Sequence, residues 1–120
     1  MSERQWILVA GPYTAGRASS EQRAANLLEL NEVALEVFRL GHFPLVGVTL
    51  ALPLIGVAGP DSFDEIMMPV SMAAAERCDA VLRIGGESPG ADREVEVVLK
   101  NGGALYCRVD EIPSLARGGA

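Results

Sequence analysis

Histidine, cysteine, aromatic residues and positive charge are all scarce in this chain. Its single histidine, His42, and its two cysteines, Cys78 and Cys107, lie far apart and form neither a C-x-x-C pair nor a cluster. That spacing argues against a structural zinc site and a disulfide scaffold, and no metal or other cofactor is expected. Ten Lys and Arg face sixteen Asp and Glu, a net charge of −6 with a pI near 4.7. A nucleic-acid polymer needs a basic face, so it is excluded as a partner, although a small anion can still bind locally. A long unbroken apolar run is missing too. The eighteen residues from Phe43 to Pro60 carry no charge, but Pro44, Pro53 and Pro60 interrupt them. A continuous helix across about 30 Å of hydrocarbon is therefore not expected, and neither is a membrane partner. The N-terminal run Trp6 to Ala10 is too short for the core of a signal peptide, which makes a reducing cytoplasm the simplest home. Neither G-x-G-x-x-G nor G-x-x-x-x-G-K-[ST] occurs, so the two common phosphate-loop fingerprints are absent.

What is present reads as one α/β domain over residues 1–120. With 49% apolar residues the chain is long enough for a single core and too short for two. "WILVA" (Trp6 to Ala10), ended by Gly-Pro, fits a strand buried on both faces of a parallel sheet. Helical periodicity follows from about Ser20 to Leu40, with Ser19 or Ser20 as N-cap and Gly41 as the stop. This helix has a narrow polar stripe and apolar residues around most of its circumference, so a second face is expected to meet another helix or another subunit. "HFPLVGV" reads as a second strand, followed by an apolar loop or short helix. Asp61 to Arg77 reads as a helix, with Pro69 a point of interruption, and "AVLRI" (Ala80 to Ile84) as a third strand. Ser88-Pro89-Gly90 opens a helix to about Lys100, and "ALYCRV" (Ala104 to Val109) is the last strand. The alternation predicts a Rossmann-like or flavodoxin-like three-layer sandwich around a mostly parallel sheet of four to five strands.

In such folds ligands bind at the carboxyl ends of the strands. Two loops there are rich in functional residue types. "AGPYTAGR" offers Gly11 and Gly16 for unusual backbone geometry, Tyr13 for stacking or hydrogen bonding and Arg17 for an anion. "GGESPGADRE" offers a helix N-terminus with Ser88 and Gly90, and Glu94 one turn further in, able to point back toward the mouth. A solvent-facing glutamate that merely complements a helix start is the plainer reading of Glu94. Asp79 reads as a cap or loop residue, Cys78 as a small buried hydrophobe, His42 as a hydrogen-bonding group at the end of the long helix, and Met67, Met68 and Met72 as filler.

Taken together, "VAGPYT" (Val9 to Thr14), Asn26, "CDAVLRI" (Cys78 to Ile84) and "SPGADRE" (Ser88 to Glu94) resemble, in order and over nearly the whole chain, the nucleoside 2-deoxyribosyltransferase-like family. The resemblance implies cleavage of a base–sugar N-glycosidic bond, with transfer of the sugar to another base or to water. It assigns the nucleophile to Glu94, whose carboxylate would trap the oxocarbenium-like carbon as a glycosyl ester. Beside the positive helix end that carboxylate is expected to stay ionised. The resemblance also implies Gly11 and Tyr13 beside sugar or base, a contact from Asn26, and Ser88 with Gly90 around the sugar or its 5′ substituent. Ser88 stands where many deoxyribosyltransferases have aspartate, and in this it is similar to relatives that hydrolyse nucleoside 5′-monophosphates. Ser71 stands where members commonly have a further aspartate, so Asp61, Asp64 or Glu65 would have to supply an auxiliary acid. Two readings follow: a cofactor-independent enzyme acting on a nucleoside or nucleotide as a homodimer or higher homo-oligomer, or a nucleotide-binding or sensing module without turnover.

Overall fold

The computed structural model describes residues 3–16 and 18–115. The chain runs β1 (Trp6–Ala10), α1 (Ser20–Arg39), β2 (Phe43–Leu45), α2 (Gly47–Ala58), a 3₁₀ turn (Pro60–Ser62), α3 (Phe63–Glu76), β3 (Ala80–Arg83), α4 (Pro89–Lys100), β4 (Ala104–Tyr106) and a final 3₁₀ turn (Val109–Glu111). The four strands form one sheet in the order β2-β1-β3-β4, and every pairing is parallel. This is the α/β architecture that the alternating pattern predicts, with four strands.

Period-2 alternation in the central strands decides which side chains meet which helices. Ile7 and Val9 of β1 join Ala80 and Leu82 of β3 in a core with Leu30 and Val37 of α1. Leu8, Ala10 and Val81 point the other way, into a core with Ala74 and Ala75 of α3 and Ala91 and Val98 of α4. Each fully buried Leu or Ile contributes roughly 1.5–3 kcal/mol, so these two layers hold the sheet. Parallel crossovers are right-handed. The chain steps from β1 one way to β2 and then back past β1 to β3, which puts α1 on one face and α3 and α4 on the other. The crevice at this reversal lies between β1 and β3, where ligands bind in open α/β sheets.

Four element boundaries differ from expectation. β2 ends at Leu45, and Gly47–Ala58 is a twelve-residue helix. Pro44 lacks an N–H, which suits a short edge strand, and Gly47 lets the next turn coil tightly against α3. α3 starts at Phe63, two residues later than expected, because Pro60–Ser62 forms a separate 3₁₀ turn. Pro69 does not interrupt it. Both Pro53 and Pro69 lie on exposed faces, where water can satisfy the carbonyls they leave free. β4 stops at Tyr106, and β3 stops at Arg83. No helix among the described residues is long and apolar enough to cross a membrane.

His42 anchors the end of the sheet remote from the crevice. It is fully buried, its Nδ1 accepts from the Gln5 N–H at 3.0 Å, and its Nε2 donates to the Pro113 carbonyl at 2.6 Å. The ring is therefore the neutral Nε2–H tautomer, and it ties the N-terminal segment to the C-terminal one. His42→Ala leaves a buried donor and acceptor unpaired and opens a cavity, so it is expected to cost about 2–4 kcal/mol in denaturant titration. Asp79 acts at the same end, accepting from the Trp6 N–H at 2.9 Å.

Candidate functional site

The crevice holds a cavity of about 290 Å³. Its walls come from the β1 loop (Gly11, Tyr13), the start of α2 (Val48), α3 (Phe63, Asp64, Met67, Ser71) and the N-terminal half of α4 (Ser88, Gly90, Arg93, Glu94). The two loops expected to converge do so through close backbone packing. A Cβ on Gly11 would lie 3.0 Å from the Ile84 carbonyl oxygen, and Gly85, at φ +77°, packs where a side chain would meet Pro12 at 2.6 Å. Gly11 is thus required for proximity between loops, not for an unusual angle. Gly16 does have positive φ, +72°, but nothing lies near it.

Ser88 caps α4 by accepting from the Ala91 N–H at 3.2 Å and is buried in the cavity wall. Pro89 then starts the helix with its fixed φ. Glu94 is the sixth helical residue and only 9% exposed. Burial pushes its carboxyl up to about 8, with Arg83 acting in the opposite direction. This corrects the expectation of an ionised carboxylate. The helix dipole acts mainly within the first turn, and Glu94 lies beyond it in a desolvated setting, so desolvation outweighs the dipole. At neutral pH the group carries its proton in the free protein.

Gly47, not anticipated from the sequence, determines how closely this glutamate is enclosed. A Cβ there would sit 2.9 Å from Ser71 Oγ and 3.0 Å from Glu94 Oε2. The absence of a side chain thus lets the first turn of α2 close over both groups. Ser71, at the position that lacks the anticipated acid, is buried and faces the same point as Glu94. Its hydroxyl donates to Met67 Sδ, a weak acceptor, at 3.8 Å.

Other expected site residues separate into those that line the cavity and those that do not. Tyr13 lines it, with its ring 6.5 Å from that of Phe63 and nearly parallel, at 10°. Phe63 was missed because a lone Phe at a helix start carries no sequence signal of its own. Asn26 is outside the lining. Its Nδ2 donates to the Tyr13 carbonyl at 2.9 Å, so it holds the β1 loop from behind instead of contacting a ligand. Asp64 reaches the wall, whereas Asp61, in the 3₁₀ turn, and Glu65 do not. Arg17 lies outside the described residues. Arg93 is solvent-facing at the mouth. Cys78 is buried, and burial with Asp79 and Glu94 nearby pushes its thiol up to about 12, so it is inert as a nucleophile. Among the described residues no three His, Cys, Asp or Glu side chains group as a metal site.

No known family model matches this chain, and no curated protein matches it either.

Proposed function

We propose that this protein cleaves or transfers at the N-glycosidic bond of a nucleoside or nucleoside 5′-monophosphate, with Glu94 as the nucleophile. The observation that carries this reading is a single carboxyl group buried in the wall of a cavity that also offers two near-parallel aromatic rings and a capped helix N-terminus. Aromatic faces at Tyr13 and Phe63 suit a planar base. The backbone N–H groups of Ser88 and Gly90, on either side of Pro89, which has none, suit an anionic 5′ substituent, with Arg93 at the mouth. The resemblance to the nucleoside 2-deoxyribosyltransferase-like family supports the same assignment.

In the proposed reaction the ionised Glu94 attacks the anomeric carbon. The C–N bond breaks, its electron pair leaves with the base, and the base takes a proton from water or from Asp64. The glycosyl ester is then opened by water, or by a second base in a transfer, which returns the carboxylate, and the proton that the attacking group gives up restores the donor of the first step. Burial makes the proton on Glu94 costly to remove but leaves the resulting carboxylate poorly solvated and reactive.

A chromatographic screen for free base tests this, using ribo- and deoxyribonucleosides and their 5′-monophosphates, with and without a second base. Base release by the parent and its loss in Glu94→Gln is the expected result, and dependence on the second base distinguishes transfer from hydrolysis. Phe63→Ala removes one of the two ring faces and is expected to weaken nucleoside binding about tenfold by calorimetry, close to the lower end of what a base–aromatic stack contributes.

A second reading is a nucleotide-binding or sensing module without turnover. Ser71 favours it, because a neutral hydroxyl stands where a second carboxyl would assist departure of the base. Binding without base release in the same screen is its signature. For either reading we propose a homo-oligomer in the cytoplasm. Leu28, Leu35 and Phe38 are exposed on α1, and Leu50, Leu54 and Val57 form an i, i+4, i+7 stripe on α2, a helix with no charged residue. In a chain of net charge −6 such an uncharged stripe is where a second copy meets least repulsion.

A further inference from the structure

Arg83 closes β3 and is used three times over. Its Nε pairs with Asp92 Oδ1 at 3.0 Å, its Nη1 donates to the Ile84 carbonyl, and its Nη2 donates to the Gly86 carbonyl at 2.8 Å. The side chain is 16% exposed, whereas that of Asp92 is 65% exposed. The loop that Arg83 grips contains Gly85, which packs on Pro12, and Ile84, which packs on Gly11. The guanidinium therefore acts on both loops bordering the cavity, and it joins one of them to the first turn of α4.

We propose that Arg83 is a positioning residue of the site: it braces the loop from Ile84 to Glu87 against the cavity mouth and presents to Glu94 a positive charge that Asp92 moderates. This rests on Glu94 being the reactive carboxyl of the cavity. Three observations support it.

The geometry comes first. A rigid planar fork with five donors is suited to holding two carbonyls and a carboxylate at once, which lysine cannot do. Position comes second. Arg93 is solvent-facing and screened, while Arg83 is largely withdrawn from water, where a charge acts more strongly on a buried neighbour. The third is the surrounding charge. The other titratable groups around Glu94 are Tyr13 from the β1 loop, Asp64 from α3, Cys78 before β3, and Asp92 and Arg93 on its own helix, while α2 contributes none. Arg83 is the group whose charge opposes the effect of burial on Glu94.

The test is a ¹³C NMR titration of the Glu94 side-chain carboxyl at low ionic strength in the parent, Arg83→Gln, Arg83→Lys and Asp92→Asn, with amide exchange of residues 84–87 measured on the same samples. The midpoint is expected to move upward by roughly half a pH unit or more in Arg83→Gln and downward in Asp92→Asn, where a like charge is lost and Arg83 is freed. Arg83→Lys keeps the charge and loses the fork, so its midpoint stays near that of the parent while exchange in the loop accelerates about tenfold. An unmoved midpoint in Asp92→Asn and Arg83→Gln overturns the electrostatic part. Unchanged loop exchange in Arg83→Lys overturns the bracing part. Should Arg83→Gln fail to fold, the other two variants still decide both. The titration is independent of turnover, so a protein that releases no base leaves this inference standing or failing by itself.

Discussion

Glu94→Gln is expected to abolish release of free base and, at the same time, to raise the unfolding temperature in alkaline solution. The first effect follows from the loss of the nucleophile. Gln is nearly isosteric and fills the same space but cannot form the glycosyl ester, so kcat/KM falls by about 10³-fold or more. The second follows from linkage. The carboxyl titrates from an ordinary value of 4.5 in the unfolded chain and near 8 in the folded one. Between those values the folded state holds a proton that the unfolded state has released, so stability falls as pH rises from about 4.5 to 8 and is level beyond. Below pH 4.5 both states are protonated and the parent matches the Gln variant. Above pH 8 the parent carries a buried charge, and a shift of this size corresponds to a disadvantage on the order of 5 kcal/mol. Thermal unfolding at pH 3.5 and pH 9 checks this. Equal midpoints at pH 3.5 and a rise of about 15–20 °C in the variant at pH 9 are expected. No difference at pH 9 would mean that Glu94 is solvated and that its enclosure by α2 is misread. The same titration gives the activity of the parent its pH dependence: kcat/KM rises with pH up to about 8 as the nucleophilic form accumulates, then levels.

Gly47→Ala gives the second large effect, and its sign distinguishes two physical terms. Helix propensity alone favours alanine over glycine by up to about 1 kcal/mol. Contact opposes it, since the new methyl would sit 2.9 Å from Ser71 Oγ, 3.0 Å from Glu94 Oε2 and 3.2 Å from Ser71 Cα. A hydroxyl can rotate away, but the Cα belongs to the backbone of α3, so the start of α2 must lift. Overpacking of this kind costs about 1–3 kcal/mol, which exceeds the propensity gain. The carboxyl moves with it, and a displacement near 1 Å lowers kcat/KM about 10²-fold. Chemical denaturation and base-release kinetics on the same protein measure the two consequences. A variant as active as the parent and more stable would show that α2 does not close the site.

The sites of these two substitutions show where sequence reasoning reached and where it stopped. β1 is legible because "WILVA" is short, apolar and ended by Gly-Pro, a pattern that fits a strand buried on both faces. α4 is legible because Ser88, Pro89 and the Gly102-Gly103 pair mark its ends. Glu94 could be singled out because its distance from Ser88 is local, set by helical rise and twist. Gly47 could not be found in this way. Nothing within "LVGVTLA" distinguishes a continuing strand from a helix, and the contacts that make glycine necessary come from Ser71 and Glu94, far along the chain. Arg83 was read only as a residue of "AVLRI", since its partners are two loop carbonyls and Asp92. Asn26 was placed near the ligand but acts one step behind it, on the Tyr13 carbonyl.

The sequence by itself therefore determined the alternation of strands and helices apart from α2, the parallel sheet and the strand-end loops that meet at the crevice, because periodicity, caps and turn residues act over a few positions. The tertiary structure alone decided the protonation of Glu94, its enclosure by Gly47 and the opposing charge of Arg83. Desolvation and Coulomb interaction depend on which distant segments exclude water from a group and which charges they bring beside it, and no local pattern encodes those neighbours.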